Sequence, residues 1–233
     1  LLAYSWPIAV AGLAYVINEN LDKFLIKRMI GDTEMGVYAA CYKLAIFMNL
    51  YIMAFRLGAE PFFFNNADKK NAKSTYSKIM NYFVIIGSFV FVGIVVYIDV
   101  LKELFIHNNE YWGAIKIVPV VLLAYLFLGI YYNLSIWYKL TDKTRYGMYF
   151  SIVGAIITIV LNVWLLNSIG IMAAAWATLI AYSSMAFISY IVGKKHYPVS
   201  YNLKKMAIYL IVSIIICAIS FLKFRGNLIV STV

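Results

Sequence analysis

The sequence predicts an all-α protein that crosses a membrane about seven times, and two features of its composition support this prediction. Of the 233 residues, 64% are hydrophobic and only 13% are charged, whereas a soluble globular domain usually carries about 25% charged residues. The hydrophobic residues form long runs, and the short stretches between these runs hold most of the Lys and Arg residues. A helix needs about 20 apolar residues to cross the hydrocarbon core of a bilayer. We therefore expect a polytopic transmembrane helix bundle rather than a soluble domain.

Seven runs reach the length of a membrane-crossing helix. The connection between the third and fourth runs carries a short amphipathic stretch, Leu101 to Ile106, and the sixth run carries five alanines between Ala173 and Ala181, which would let helices approach closely. The apolar residues Leu228 to Val230 are interpreted as the start of an eighth span. In chain order the seven predicted spans cover about Leu1 to Ile30, Met35 to Phe64, Ser74 to Ile98, Ala114 to Leu140, Tyr146 to Leu166, Ile169 to Val192 and Met206 to Leu222.

The distribution of basic residues predicts the orientation of these spans. The second, fourth and sixth connections, together with the span ends beside them, hold twelve Lys and Arg residues, and the remaining connections hold six. Short cytoplasmic loops are enriched in Lys and Arg. The first set of connections is therefore predicted to be cytoplasmic. The twelve residues are Arg56, Lys69, Lys70, Lys73, Lys78, Lys139, Lys143, Arg145, Lys194, Lys195, Lys204 and Lys205.

The composition also argues against several classes of function. The net charge of +10 fits the topology signal of a membrane protein, so we expect no nucleic-acid partner. Two cysteines, Cys41 and Cys217, lie inside apolar runs and show no metal-ligand spacing, so we expect neither a metal nor a cofactor. The chain begins at Leu1 rather than Met, and we interpret it as an internal piece of a longer protein that lacks its N-terminal half.

The first predicted span carries ionisable residues that an ordinary membrane-crossing helix would not contain. Asn18, Glu19, Asp22, Lys23 and Lys27 fall on one helical stripe, which Tyr15 extends, and Arg28 follows at the end of the span. An ionisable side chain near the centre of a bilayer costs about 2.5 to 3.5 kcal/mol on insertion scales, so such groups persist when they pair or line water. Either Glu19 and Lys23 form an intrahelical pair near the interface, or the stripe faces an aqueous cavity.

The second predicted span contains a comparable set of polar side chains. Tyr42, Asn49 and Arg56 repeat every seven residues along one face, Lys43 lies beside Tyr42, and Glu60 follows Arg56 by four residues. Because the two polar spans are consecutive, we expect them to face one shared cavity, with Lys23, Lys43 and Arg56 as a series of cations for an anionic substrate. The alternative is an Arg56–Glu60 pair near the interface. Pro61 is predicted to break the helix near the end of this span, either as the helix end or as a hinge.

The residues of both polar spans resemble the C-terminal half of bacterial polysaccharide and O-antigen flippases, which belong to the multidrug/oligosaccharidyl-lipid/polysaccharide exporter superfamily. The resemblance is carried first by Asp22 to Ile26, Gly36 to Ala39 and Tyr42 to Ala45. Its most specific part is Ala54 to Phe63. Later pieces also fit: Tyr132 to Ser135 with Thr141 to Thr144, and Leu161-Asn162 followed by Gly170 and Ala174 to Thr178.

This resemblance implies the second lobe of a 12- to 14-helix exporter with a central cavity. Residues 1–200 would form the second six-helix lobe, and residues 201–233 an additional span with a truncated tail. The implied function is flipping of polyisoprenyl-diphosphate-linked oligosaccharide across the bacterial cytoplasmic membrane by alternating access, without enzymatic chemistry. Lys23, Arg28, Lys43 and Arg56 would bind the substrate, while Glu19, Asp22 and Glu60 would orient these cations or bind a coupling H+ or Na+. The partners would be this lipid-linked substrate, membrane lipids and the missing N-terminal half.

Three other functions are compatible with a polytopic membrane protein. A cation-coupled multidrug exporter of the same superfamily is the first, although acids and aromatic side chains would be expected to dominate its site, and the deep charges here are mostly basic. A membrane enzyme of polysaccharide assembly is less favoured, because neither a large outer loop nor a concentrated acid–base set is present. A membrane scaffold without a transport function would leave the buried charges without a role.

Overall fold

The computed structural model describes residues 2–106 and 108–223. The side chains of residues 2–4, 15, 17, 18, 222 and 223 are outside the description, so it does not test the placement of the stripe residues Tyr15 and Asn18. The predicted start of an eighth span, Leu228 to Val230, also lies outside the described residues.

Nine α-helices and one 3₁₀ helix make up the described part of the chain, with no strand. The α-helices are α1 (Leu2–Met29), α2 (Asp32–Asn65), α3 (Ala72–Val96), α4 (Ile98–Phe105), α5 (Val118–Leu134), α6 (Ile136–Leu140), α7 (Arg145–Ile169), α8 (Met172–His196) and α9 (Leu203–Lys223), and the 3₁₀ helix is Asn109–Ile117. The all-α class is confirmed.

Six helical segments of the described chain are long and apolar enough to cross a membrane. They correspond to the second to seventh predicted spans: α2, α3, the continuous segment Asn109–Leu140, α7, α8 and the Leu203–Phe221 part of α9. The first predicted span is a single helix, α1, with 28 residues. This helix is not among the six apolar segments, because polar and charged residues in its second half lower its mean hydropathy.

Helix α8 lies at the centre of the bundle. Helix α8 packs against both α5 and α7, and α1 packs along α7. The five alanines between Ala173 and Ala181 are completely buried in α8, which confirms their predicted role in close helix packing. Helix α9 packs chiefly against α3 at the edge of the bundle.

Helix α2 does not end at Pro61, so the first of the two predicted possibilities is wrong. It continues for four further residues to Asn65, with Pro61 inside the helix. A proline removes only one backbone N–H from the helix, so the segment can continue when neighbouring packing holds it in place. Phe63, beyond the proline, is buried against the ring of Tyr76, with ring centroids 4.9 Å apart, and its carbonyl accepts a hydrogen bond from the Tyr76 hydroxyl at 2.7 Å.

The predicted cytoplasmic connections meet at one end of the bundle, which we call the basic end. The Ser77 hydroxyl donates to the Ser200 carbonyl at 2.7 Å, and the Lys73 ammonium lies 4.8 Å from the ring centroid of Tyr197. Burial raises the pKa of Tyr197 and of Tyr201 in the connection between α8 and α9, so both hydroxyls remain neutral. These contacts show that the second and sixth connections share one end.

The opposite end is covered by α4 and the 3₁₀ helix. The Lys102 ammonium lies 4.7 Å from the ring centroid of Trp112 and pairs with Asp99. The Trp112 indole N–H donates to the Ile106 carbonyl at 3.2 Å. The amphipathic stretch predicted around Leu101 is therefore a helix that folds back against the bundle.

Candidate functional site

Asp22 is buried between four helices and accepts hydrogen bonds from three of them. The side chain is 2% exposed. One carboxylate oxygen accepts from the Asn162 amide of α7 at 2.7 Å, and the other accepts from the Thr178 hydroxyl of α8 at 2.6 Å and the Tyr38 hydroxyl of α2 at 3.3 Å. Asp22 therefore connects α1 to α2, α7 and α8 through a single carboxylate.

Two further oxygen atoms of α7 are buried without a hydrogen-bond partner among the described residues. They are the amide oxygen of Asn162, whose nitrogen contacts Asp22, and the hydroxyl oxygen of Thr158 one turn earlier. Both side chains are completely buried. A buried acceptor without a donor is unfavourable unless another group occupies the position next to it. The surroundings of Asp22 therefore contain more oxygen acceptors than the described donors satisfy.

Glu19 forms a second polar cluster one turn away on α1. One oxygen of its carboxylate accepts from the Tyr42 hydroxyl at 3.0 Å and also from the Tyr125 hydroxyl of α5. The two tyrosine hydroxyls lie 2.7 Å from each other. The second carboxylate oxygen is buried, with no hydrogen-bond partner in the described chain. Glu19 thus ties α1 to α2 and α5.

Helical spacing explains why the two clusters are neighbours. Glu19 and Asp22 are three residues apart on α1, and Tyr38 and Tyr42 are four residues apart on α2, so each pair lies on one helix face. The rings of Tyr38 and Tyr42 are also in contact, with centroids 5.5 Å apart. These two tyrosines connect the carboxylates into one polar region between α1 and α2.

A cavity of about 200 Å³ opens between α1, α2, α5, α7 and α8. The Arg56 guanidinium lines this cavity and lies 4.0 Å from the ring centroid of Tyr132. Tyr182, another residue of the lining, contacts the ring of Tyr125, with centroids 6.3 Å apart. The cavity is therefore contiguous with the Glu19 cluster. Its remaining polar lining consists of Tyr131, Ser135, Tyr138, Lys139 and Ser151.

Glu60 and Lys139 form an ion pair towards the basic end. Lys139 belongs to the short helix α6 and also lines the cavity, and Glu60 lies on α2 beside a smaller cleft that adjoins Arg56. The ion pair therefore links α2 to α6 next to the cavity. The alternative expectation of an intrahelical Arg56–Glu60 pair is wrong for this structure. Glu19, too, pairs with tyrosines of other helices in the described chain rather than with Lys23.

The structure does not assemble the predicted series of cations. Arg56 lines the cavity, and the Lys23 ammonium is half-buried 4.7 Å from the ring centroid of Tyr42. Lys43 and Arg28 are exposed and are not among the residues that line the cavity. Lys43 follows Tyr42 directly, so its side chain leaves the helix about 100° away from the buried tyrosine. The binding roles proposed for these cations remain predictions.

A comparison with protein-family models gives one match, to the model described as MatE, over residues 7–164. This match includes Asp22, the tyrosines of α2, Arg56 and Asn162. The chain belongs to the MatE family. A comparison with curated protein sequences gave no match.

A solved structure shares the fold of this MatE chain. It is described as the outward-facing conformation of a multidrug resistance MATE family transporter of the MOP superfamily. The TM-score is 0.62 at 17% sequence identity, and the alignment covers 94% of this chain and 52% of that chain. The MatE chain therefore spans about half the length of that transporter, and at this identity the likeness concerns the fold alone.

Several residues of the MatE site were not predicted from the sequence. Asn162, Thr178, Tyr38 and Tyr125 supply hydrogen bonds to the two carboxylates, and Lys139 is the partner of Glu60. Asn162 and Thr178 have a recognisable signal, since each is a polar residue inside a long apolar run. The tyrosines have no such signal among the 20 tyrosines of the chain.

Proposed function

We propose that this chain forms one lobe of a cation-coupled transporter that works by alternating access, and that Asp22 binds the coupling cation. The observation that carries this proposal is the buried carboxylate of Asp22, which accepts hydrogen bonds from α2, α7 and α8. The other half of the full-length protein would form the facing lobe. The expected location is the cytoplasmic membrane of a bacterium.

The chemistry of the site favours a hard cation or a proton. A carboxylate excluded from water is stable only when donors or a positive charge compensate it. The unpartnered amide oxygen of Asn162, whose nitrogen contacts Asp22, and the unpartnered hydroxyl of Thr158 one turn away on α7 are oxygen ligands of the type that hard cations prefer. Binding of Na+ would use these oxygens, whereas protonation would neutralise the carboxylate and turn it into a donor. Either event changes the hydrogen bonds that join α1 to α7 and α8.

The substrate class best supported is a multidrug-type set of amphipathic organic compounds. This choice rests on the shared fold with a structure described as a multidrug resistance transporter. The cavity lining suits such compounds because four tyrosines, Tyr131, Tyr132, Tyr138 and Tyr182, offer aromatic faces.

Transport by the full-length protein in liposomes tests the coupling role of Asp22. The measurement is efflux of ethidium driven by an imposed Na+ or H+ gradient. We expect Asp22→Asn to lower gradient-driven efflux by about 5- to 150-fold, which is the factor that typical coupling free energies correspond to. Binding of ethidium should be retained. The matched control is Asp68→Asn, the same substitution at an exposed loop residue. Efflux that follows the gradient equally in Asp22→Asn and in the unaltered protein would refute the assignment.

Flipping of a diphosphate-linked oligosaccharide is the second candidate function, and the cations of the cavity favour it. Arg56 and Lys139 both line the cavity, and a planar guanidinium can bind a phosphate through two parallel hydrogen bonds. Glu60 neutralises Lys139, so Arg56 supplies the cavity's uncompensated positive charge within the described lining.

Complementation of a bacterial strain that lacks its own polysaccharide flippase tests this second candidate. We expect the full-length gene to restore surface polysaccharide, Arg56→Ala to abolish it, and Arg56→Lys to retain part of it, because the charge remains and the bidentate geometry is lost. Arg145→Ala, at an exposed arginine, is the control. Restoration of polymer by Arg56→Ala to the level of the unaltered gene would exclude the role of Arg56. Ethidium efflux without any restoration of polymer would favour the multidrug function.

A further inference from the structure

An apolar groove of about 350 Å³ runs between α8 and α9, and none of its lining residues lines the polar cavity. Ser183, Ala186, Phe187 and Tyr190 of α8 form one wall, and their spacing places them on a single helix face. Leu203, Met206, Ala207 and Leu210 of α9 form the other wall with the same spacing, and Phe127, Ile130 and Leu134 of α5 contribute to the floor. The Ser183 hydroxyl donates to the Leu179 carbonyl of its own helix at 2.7 Å, so it does not make the groove polar.

The end of the groove nearest the basic end carries aromatic and basic side chains. Tyr190 and Tyr201 close this end, with ring centroids 6.3 Å apart. Both tyrosines also line the adjoining cleft that contains Lys194, which lies one turn beyond Tyr190 on α8. Lys204 follows Leu203 at the start of α9 and is exposed. The two lysines therefore flank the groove at one end, from opposite walls.

The part of the chain that carries these lysines has no acidic side chain. Asp142 is the last acidic residue in the sequence, so no Asp or Glu lies near Lys194, Lys195, Lys204 or Lys205 along the chain. The groove extends seven residues along each wall, or about 10 Å at 1.5 Å per residue, which is a large part of one leaflet's hydrocarbon thickness of about 15 Å. The site thus combines an apolar groove that is shorter than one leaflet with basic side chains at one end.

We propose that the groove binds an anionic phospholipid of the membrane, with the phosphate between Lys194 and Lys204 and one acyl chain between α8 and α9. An acyl chain can pack against the apolar side chains that line the groove. Tyrosines are common at the headgroup interface, where hydrocarbon meets water. The excess of basic residues selects an anionic headgroup over a zwitterionic one. This site is separate from the Arg56 cavity and does not depend on the transported substrate.

Native mass spectrometry of the full-length protein tests the proposal. The protein is released from nanodiscs that contain equal amounts of phosphatidylglycerol and phosphatidylcholine, and the lipid that remains bound is identified. A basic residue at an anionic membrane surface strengthens binding about fivefold. We therefore expect selective retention of phosphatidylglycerol, and a loss of about 25-fold in its affinity for the double variant Lys194→Ala/Lys204→Ala.

Two matched controls separate a site from general surface charge and from altered folding. Lys69→Ala/Lys70→Ala removes two exposed lysines of another connection at the basic end and is expected to retain phosphatidylglycerol. Ala207→Trp fills the groove and is expected to abolish retention, whereas Ile208→Trp, at an exposed neighbour outside the groove lining, is expected to preserve it. Equal retention of both lipids, retention of neither, or equal losses in both lysine pairs would overturn the proposal.

Discussion

Asp22 and Thr178 form the shortest of the hydrogen bonds at the buried carboxylate, and this contact joins residues 156 positions apart in the chain. The Thr178 hydroxyl also lies 2.9 Å from the Ala174 carbonyl of its own helix, so its single proton is shared between that carbonyl and the carboxylate. Removal of this hydroxyl leaves a charged acceptor partly unpaired in a site from which water is excluded.

Thr178→Val is expected to lower the free energy of unfolding by about 1 to 3 kcal/mol, because valine keeps the shape of threonine and removes the donor to Asp22. The measurement is unfolding of the purified full-length protein by denaturant titration in detergent. Thr33→Val, at an exposed threonine in the first turn of α2, should change the free energy by less than about 0.5 kcal/mol. A stability for Thr178→Val equal to that of the Thr33 variant would contradict the assigned hydrogen bond.

The sequence indicated which side chains of α1 require partners but not which residues provide them. The cost of a charge in an apolar helix singles out Glu19 and Asp22, whatever the fold. Their partners Asn162, Thr178 and Tyr125 lie more than 100 residues away and depend on the packing of α7, α8 and α5. For the same reason the sequence offers Arg56, four residues earlier, as the alternative partner of Glu60, although Lys139 of α6 is its partner.

Apolar periodicity and length predicted the helices well, while proline was a poor guide to where α2 ends. The contact of Phe63 with Tyr76 stabilises the segment beyond Pro61, and such a contact cannot be read from local propensity. A second proline, Pro119, lies at the start of α5, where a missing N–H leaves no helical hydrogen bond unmade. The effect of a proline on a helix therefore depends on its position within the helix and on the tertiary contacts beside it.

The close approach of α5 to α3 at Gly129 provides a test of element packing. A Cβ on Gly129 would collide with the ring of Phe83 and would lie 3.1 Å from Cγ1 of Ile52. The Phe83 ring cannot move away easily, because Tyr51 and Phe55 pack on it with centroids 5.1 and 4.6 Å distant. We expect Gly129→Ala to destabilise the protein by about 1 to 3 kcal/mol, as measured by denaturant unfolding in detergent.

Gly93→Ala is the control for this substitution and has the opposite expected sign. Gly93 lies within helix α3, and a Cβ there would meet no atom within 4 Å. Alanine lowers the conformational entropy of the unfolded chain, so a stabilisation of about 0.5 to 1 kcal/mol is expected. A destabilisation of similar size in both variants would show that helical glycine content, rather than the contact with Phe83, determines the effect.

At the scale of the whole molecule, the alternation of basic and less basic connections correctly predicted which connections lie together. The contact between Ser77 and Ser200 joins two predicted cytoplasmic regions that are 123 residues apart. The side of the membrane that these regions face remains a prediction, because packing between helices does not depend on it. Charge asymmetry between loops is the feature that sets the orientation.

Single-cysteine labelling in intact cells tests the orientation. In a background where buried Cys41 and Cys217 are replaced by serine, Lys70→Cys should react with a membrane-impermeant maleimide only after the cells are opened. Glu110→Cys, at the opposite end, should react in intact cells. Labelling in the reverse pattern would invert the predicted topology and would place Asp22 nearer to the cytoplasm.

The position of Asp22 between α1 and the α7–α8 hairpin has a thermodynamic consequence. Asn162 lies on one arm of this hairpin and Thr178 on the other, and Gly170, with its φ of 61°, lies at the turn that joins them. Any displacement of the hairpin along α1 alters the hydrogen bonds to the carboxylate and, under the proposed coupling role, its affinity for a cation. Linkage requires that the cation biases the displacement by the same free energy. The ion concentration on the side to which the site is open would then set the ratio between two packings of the lobe. A difference in ion concentration across the membrane would therefore favour a different packing on each side.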